Sequence, residues 1–163
     1  MRRVAAIAGA LALALALILA LAACSSSSGE TTFTVTHGPV KPLAVTPGPG
    51  GGAIGTVRIF HADTAPQGGG TGYLDGTMTT TGSDVSQAGV EIRVTELVFT
   101  SDAWQLILEG TALYPSAGST IDVGKTAIRP IIGGSGRYAG ARGWAESTQN
   151  ADGTWTHVFH LLP

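Results

Sequence analysis

The residues best spaced for chemistry lie in "IIGGSGRYAGARGWAESTQNADGTWTHVFHL" (131–161). Gly134-Ser135-Gly136-Arg137-Tyr138-Ala139 fits G-x-G-x-x-G/A, the loop that lets a backbone approach a pyrophosphate at a helix N-terminus. Such a site needs a strand before it, a helix after it and an acid about 20 residues on. A strand precedes. The stretch "GRYAGARGWAEST" carries further glycines and then alternates, so it does not read as a helix. Only 24 residues remain after Ala139, too few for a βαβ unit, and no Gly-Lys-Ser/Thr occurs. The glycines read instead as a turn. Gly133 and Gly134 are expected to take positive φ at a barrel corner, with Gly136 in the same turn and Tyr138 folding its ring back over it. Ala141, Arg142 and Gly143 then restart a strand where another strand comes close.

Other titratable residues are weaker candidates. His61 and Asp63 share one face of a strand, spaced as a base and its orienter; a solvated pair near a strand end is the alternative. His157 and His160 are three apart, so on a strand they face opposite sides and cannot hold one ion. Glu96, Glu109 and Glu146 fall within strands and are expected on the polar outer face. An acid turned into an apolar lumen would have a raised pKa. Cys24 is the single cysteine, which excludes disulfides and a cysteine-rich metal site. No metal or cofactor is expected.

The elements that must position these residues are short strands. From residue 56 onward, apolar and β-branched runs alternate with turn residues. Eight strands are expected, at 56–64, 71–81, 89–100, 103–113, 119–123, 125–132, 141–149 and 154–161. Ile92, Val94, Glu96 and Val98 share a face; so do Trp104, Leu106 and Leu108, and so do Trp155, His157, Phe159 and Leu161. The pattern predicts an all-β domain, an eight-stranded antiparallel closed barrel with a mainly apolar inner face. Closure removes the open edges that invite aggregation.

Residues ahead of the barrel differ in character. Arg2 and Arg3 precede an apolar run to Ala20, and Leu21-Ala22-Ala23-Cys24 resembles the lipobox of bacterial lipoprotein signal peptides. That resemblance implies a signal peptide at 1–23 and a diacylglyceryl group on Cys24. An uncleaved N-terminal membrane anchor is the other reading, since a spanning helix needs about 20 apolar residues. Both readings place the folded part outside the cytoplasmic membrane. Residues 24–55, rich in Ser, Pro and Gly, read as a flexible tether, in which "TTFTVTH" (31–37) can form one short strand; an ordered arm packed on the barrel is the alternative. The barrel is assigned to 56–163. Without Arg2 and Arg3 the nine basic residues become seven against 11 acids. With two lysines and no basic run, nucleic-acid binding is set aside.

A resemblance to a known family rests on "STIDVGKTAIRPIIGGSGRYAGARGWAES" (119–147). It looks like the C-terminal signature of plant dirigent proteins: a Ser-Thr-Ile strand, an apolar strand ending in Gly-Gly-Ser-Gly, an aromatic, and Ala-Arg-Gly. The pattern recurs in the allene oxide cyclase barrel superfamily and its bacterial relatives, whose closing strand "TWTHVFHL" (154–161) resembles. The likeness is strong over about 45 residues, weaker over 89–118, and does not reach residues 1–55. It implies the same eight-stranded, calycin-like barrel. Dirigent proteins steer phenoxy-radical coupling without performing the oxidation. Allene oxide cyclases close a ring in a fatty-acid epoxide, and some bacterial relatives shape polyketide cyclisation. All hold an apolar ligand in the barrel without a cofactor, and plant members form trimers. The Arg on the dirigent strand before Gly-Gly falls at Ala127 here. Arg129, two residues on and on the same face, is the substitute candidate. Asp122 is near the expected acid in sequence only, and Arg142 matches the Ala-Arg-Gly arginine as a structural residue.

Three functions remain open: a module binding a small hydrophobic molecule in the lumen, a cofactor-free cyclase or isomerase, and a surface interaction protein with a plugged lumen. An enzyme requires one or two polar groups buried in the lumen. A plugged barrel requires Trp and Phe to fill it.

Overall fold

The computed structural model describes residues 29–47, 54–83, 86–118 and 120–163. The expected signal peptide and Cys24 lie outside the described residues. Nine strands form: β1 Thr31–His37, β2 Leu43–Val45, β3 Val57–Pro66, β4 Gly72–Ser83, β5 Val90–Ser101, β6 Trp104–Pro115, β7 Thr126–Gly136, β8 Arg142–Gln149 and β9 Trp155–Leu162. Among the described residues there is no helix. Every pairing is antiparallel, and the sheet closes because β1 pairs with both β9 and β3. Eight strands make the barrel wall. β2 is an extra strand laid along the first residues of β3, Leu43 opposite Ile59 and Val45 opposite Val57, ahead of the stretch that β1 covers.

The closing strand corrects the expected domain boundary. Residues 31–37 are a stave, not part of a tether. β1 matches β9 along its whole length, from Thr31 opposite Leu161 to His37 opposite Trp155. It meets only the end of β3, where Val35 faces Pro66; closing a staggered barrel forces such an offset. Its alternation carries Phe33, Val35 and His37 inward.

A second correction concerns 119–123. Residues 120–123 form no strand. β6 and β7 pair only from Trp104–Gly136 to Leu108–Ile131, with a register slip after Ile107. The next residue of β7 is Pro130, which has no N–H to give, and the ladder to β6 ends there. The resulting seam is filled by Ile121, buried in one cluster with Met78, Tyr114 and Ala127. Thr120 donates from Oγ1 to Gln149 Oε1 (3.0 Å) and the Gly124 N–H donates to the Gln149 carbonyl (2.8 Å). The segment thus crosses an end of the barrel instead of joining its wall.

The glycine cluster is also rearranged. Gly133 and Gly134 lie within β7 and have no positive φ; Gly136 (φ +60) and Gly140 (φ +76) bracket the turn. Gly134 is needed for approach, since a Cβ there would sit 2.4 Å from the Tyr138 carbonyl oxygen. The nucleotide reading fails with the same observation, because residues 137–140 are a turn. Arg142 is exposed and donates to the Pro163 carbonyl at 2.9 Å, tying down the C-terminus.

Candidate functional site

The barrel interior has two halves of different chemistry. One is filled with aromatic rings. Phe33 stacks on Phe159 (4.7 Å) and on Tyr138 (5.3 Å), while Trp104 meets Phe33 and Tyr138 edge-on. Tyr138 does fold its ring back, and in doing so seals the Gly136 end. Leu106, Leu108, Ile131 and Leu161 complete this cluster.

The other half holds polar side chains that the chain alternation turns inward. On β5 the inward set is Glu91, Arg93, Thr95, Leu97 and Phe99, all buried. The apolar set Ile92, Val94 and Val98 shares a face with Glu96, as expected, but that face is the outer one. Glu91 accepts from Arg93 Nε (3.0 Å) and from Thr80 Oγ1 (3.0 Å), and Arg58 Nη1 donates to Thr80 Oγ1 (3.0 Å). Arg58 lies 3.8 Å from the same carboxylate. This buried network is absent from the sequence-derived candidates.

Between the two halves lies a cavity of about 40 Å3, lined by Leu74, Met78, Leu97, Tyr114, Arg129 and His157 among others, room for about three waters. Arg129, placed on β7 by alternation, is 3 % exposed. Its Nη2 donates to the Tyr114 hydroxyl at 2.5 Å, and that hydroxyl is 3.2 Å from Thr95 Oγ1. His157, on β9, holds Ser147 of β8 through Nδ1 at 2.8 Å. The Nε of Arg129 and the Nε2 of His157 are buried with no hydrogen-bond partner. His37, whose Nδ1 donates to the Gly38 carbonyl (2.6 Å), stacks on His157 (5.1 Å) and Trp155 (6.0 Å). Val40 and Pro42, from the segment joining β1 to β2, also line the cavity. Tyr114 lines in addition an outer groove of about 490 Å3 at the β6–β7 seam, with Ala112, Leu113, Ile121 and Ala127.

The structure separates the other candidates from this cavity. His61 and Asp63 share the outer face, and His61, 59 % exposed, hydrogen-bonds to Asp75 on β4 at 2.7 Å, not to Asp63. No His61–Asp63 base-orienter pair forms, and both side chains are exposed, as the solvated reading has it. His160 points outward as predicted from its spacing; it pairs with Glu30 (2.5 Å) and stacks on Trp144. Glu96 and Glu109 are exposed and face each other across β5 and β6. No cluster of three or more His, Cys, Asp or Glu suited to a metal occurs among the described residues. Thr95, Tyr114, Ser147, His157 and His37 were missed as site residues. Alternation puts Trp155, His157 and Phe159 on one face, and His157 is the polar residue on that apolar inner face, the signal the sequence carries for it.

Burial above all, and then the charges of His37 and Arg129, hold His157 well below the ordinary imidazole value of 6.5. Burial also lowers His37, against the raising effect of its bond to Gly38. In the unfolded chain both titrate near 6.5. Above that pH both states are neutral and nothing is lost. As pH falls through it, the unfolded chain takes up protons that the folded one refuses. Stability should therefore fall by up to about 1.4 kcal/mol per pH unit through His157 until its folded pKa is reached, and by less through His37. Urea midpoints measured from about pH 8 down to about pH 5 should show this slope, and His157→Gln should flatten it. An unchanged slope in the variant would place the effect elsewhere.

No family model and no curated protein sequence matches this chain. Solved structures do. A pyocyanin demethylase aligns at 21 % identity and TM-score 0.62, over 80 % of this chain and 99 % of its own. A nonspecific heme-binding cyclase that catalyses a cycloaddition during neoabyssomicin biosynthesis aligns at 20 % identity and TM-score 0.62, over 90 % of this chain and 73 % of its own. The Diels-Alderase AbmU from Streptomyces koyangensis aligns at 17 % identity and TM-score 0.60, over 88 % and 73 %. At these identities the likeness establishes a shared fold: the chain is a closed eight-stranded barrel of the kind these proteins have, as the dirigent-type signature led one to expect.

Proposed function

We propose that this protein binds a small, largely apolar molecule in the barrel, with one polar group of the ligand directed at Arg129, Tyr114 and His157. The observation that carries this reading is the pair of orphaned buried atoms, Arg129 Nε and His157 Nε2, on two residues that line one cavity. A buried polar atom without a partner costs about 1–3 kcal/mol, more if charged, and a ligand oxygen would recover it. The cavity is small as it stands, so a ligand enters by displacing Val40 and Pro42 or by extending past Tyr114 into the seam groove. The aromatic filling beyond Leu74 limits how deep it goes.

The barrel reads best as a capture or presentation module held outside the cytoplasmic membrane by a lipid on Cys24. The lipobox-like Leu21-Ala22-Ala23-Cys24 supports that placement; Cys24→Ser should release the protein from the membrane fraction, and retention would contradict it. A cofactor-free cyclase or isomerase is the second reading. It is favoured by a guanidinium and a neutral imidazole converging on one apolar cavity, groups able to stabilise a developing oxyanion and to relay a proton.

Binding of the neutral fluorophore N-phenyl-1-naphthylamine tests the lumen reading. Ser147→Leu adds bulk to the cavity wall and should weaken binding about tenfold or more, the loss of roughly 1.4 kcal/mol, with the β-sheet spectrum retained. Ile128→Ser, on the outer face, should change nothing. Equal binding by all three proteins would place the dye outside the barrel and overturn the reading. An enzyme would in addition lose turnover by a much larger factor than binding on replacement of His157.

A further inference from the structure

From the charges that surround the cavity, we infer that its ligand is an organic monoanion, a carboxylate or enolate-type oxyanion on a flat apolar body. The inference rests on the lumen reading above and adds the ligand's chemical class.

Four charged side chains are buried among the described residues: Arg58, Glu91, Arg93 and Arg129. The one carboxylate, Glu91, is engaged by Arg93 at 2.9 Å and approached by Arg58 at 3.8 Å. Arg129 has no ion pair with any described carboxylate. Its hydrogen-bond partner is the phenol of Tyr114. No acid lines the cavity; the lining is apolar apart from Arg129, His37, His157 and the hydroxyls of Thr95, Tyr114, Thr120 and Ser147. A guanidinium taken out of water carries a penalty of several kcal/mol unless an anion and well-placed hydrogen bonds offset it. An arginine guanidinium is charged throughout the usual pH range; one of its N–H groups is unused here, and the imidazole edge of His157 beside it is unused as well. An anionic head group satisfies all three conditions at once: it neutralises Arg129, accepts from Nε, and reaches the free edge of His157.

The shape of the ligand body is set by the walls. His37, Trp155 and His157 lie with their ring planes within 23° of one another, and all three line the cavity that Arg129 lines, which suits a flat body stacked beside the charged group. Leu74, Met78 and Leu97 close the other sides. An inorganic anion would leave these apolar surfaces without contact, and a dianion would exceed the single free guanidinium.

Calorimetric titration of the whole chain with the matched pair 2-naphthoate and 2-naphthamide tests this. Both are flat and of nearly equal size, and only one is charged. The anion should bind at least tenfold more tightly, about 1.4 kcal/mol. Arg129→Met, close in shape, should abolish that difference, and Arg129→Lys should restore part of it. Equal affinity for the two probes in the wild type overturns the monoanion assignment while leaving the lumen reading intact. A preference that survives in Arg129→Met overturns it as well, by placing the anion elsewhere. Binding of neither probe removes the lumen reading and the assignment together. If Arg129→Met does not fold, Arg129→Lys and the wild-type comparison still decide.

Discussion

A chain starting at Gly38 is expected not to form the barrel, whereas a chain starting at Gly29 folds with the melting behaviour of the full protein. The reason lies in β1. Val35 is fully buried and Phe33 is stacked between Tyr138 and Phe159. Losing each removes about 1.5–3 kcal/mol of apolar burial, and each ring pair adds about 0.5–1.5 kcal/mol. His37 and its stack on His157 go with them. The total approaches the about 5–15 kcal/mol by which a domain of this size is stable at all. The truncation also exposes the edges of β3 and β9 that β1 covers, so the product should aggregate. Circular dichroism and thermal melting of the two truncations decide the matter. Equal melting temperatures would return residues 31–37 to the role of a tether.

Gly143→Ala should be the most damaging single substitution in the glycine-rich region, lowering stability by about 3 kcal/mol or more. Gly143 has φ +140, where side chains are strained, and an added Cβ would lie 1.8 Å from the His160 carbonyl oxygen. Neither β8 nor β9 can move away alone, because Trp144 pairs with His160 and Ala145 with Phe159 at the core. Gly133→Ala is the matched control. Its φ is not positive and a Cβ there meets nothing within 4 Å. Its stability should stay within about 1 kcal/mol of the wild type, slightly raised through reduced freedom of the unfolded chain. Denaturant midpoints of both variants test the contrast. A large loss at Gly133 with little at Gly143 would mean that the turn sits where the sequence first suggested.

That contrast also shows where sequence reading stops. Strand positions were legible because turn residues such as Gly68–Gly70 and Asn150–Gly153 punctuate period-2 runs. The clustering of glycines at 133–136 marked a special backbone, but not which glycine carries positive φ. That depends on the slip in register against β6, which is set by a partner strand. "STIDV" reads as a strand on β-propensity alone. Residues 120–123 do not become one: the β6–β7 ladder ends before Pro130, and Ile121 is buried in the seam instead. "TTFTVTH" was recognisable as a strand but not as a stave, since closure is a property of both ends of the sheet.

The lumen was the least legible. On β5 the outward set Ile92, Val94 and Val98 is more apolar than the inward pair Glu91 and Arg93, so a rule that sends apolar residues inward chooses the wrong face at that end. In a small closed barrel, outward positions can be apolar at modest cost, because much of any protein surface is apolar. Inward charges persist only when paired or held for a ligand. Arg129 is legible only through the family resemblance and the shared face of residues two apart on a strand. Nothing local in the sequence announced that Tyr114, fifteen residues upstream, would hold it.

The functional reading depends on Arg129 and His157 offering their unused hydrogen-bonding edges to a ligand inside the barrel. Nitrogen chemical shifts of the His157 ring, followed by NMR as 2-naphthoate is added at neutral pH, probe those edges without mutation. A neutral imidazole is expected in the free protein, with an Nε2 resonance that moves on addition of the anion together with the Arg129 Nε–H signal. Two signals that stay fixed while the probe binds would rule out a ligand site at these groups.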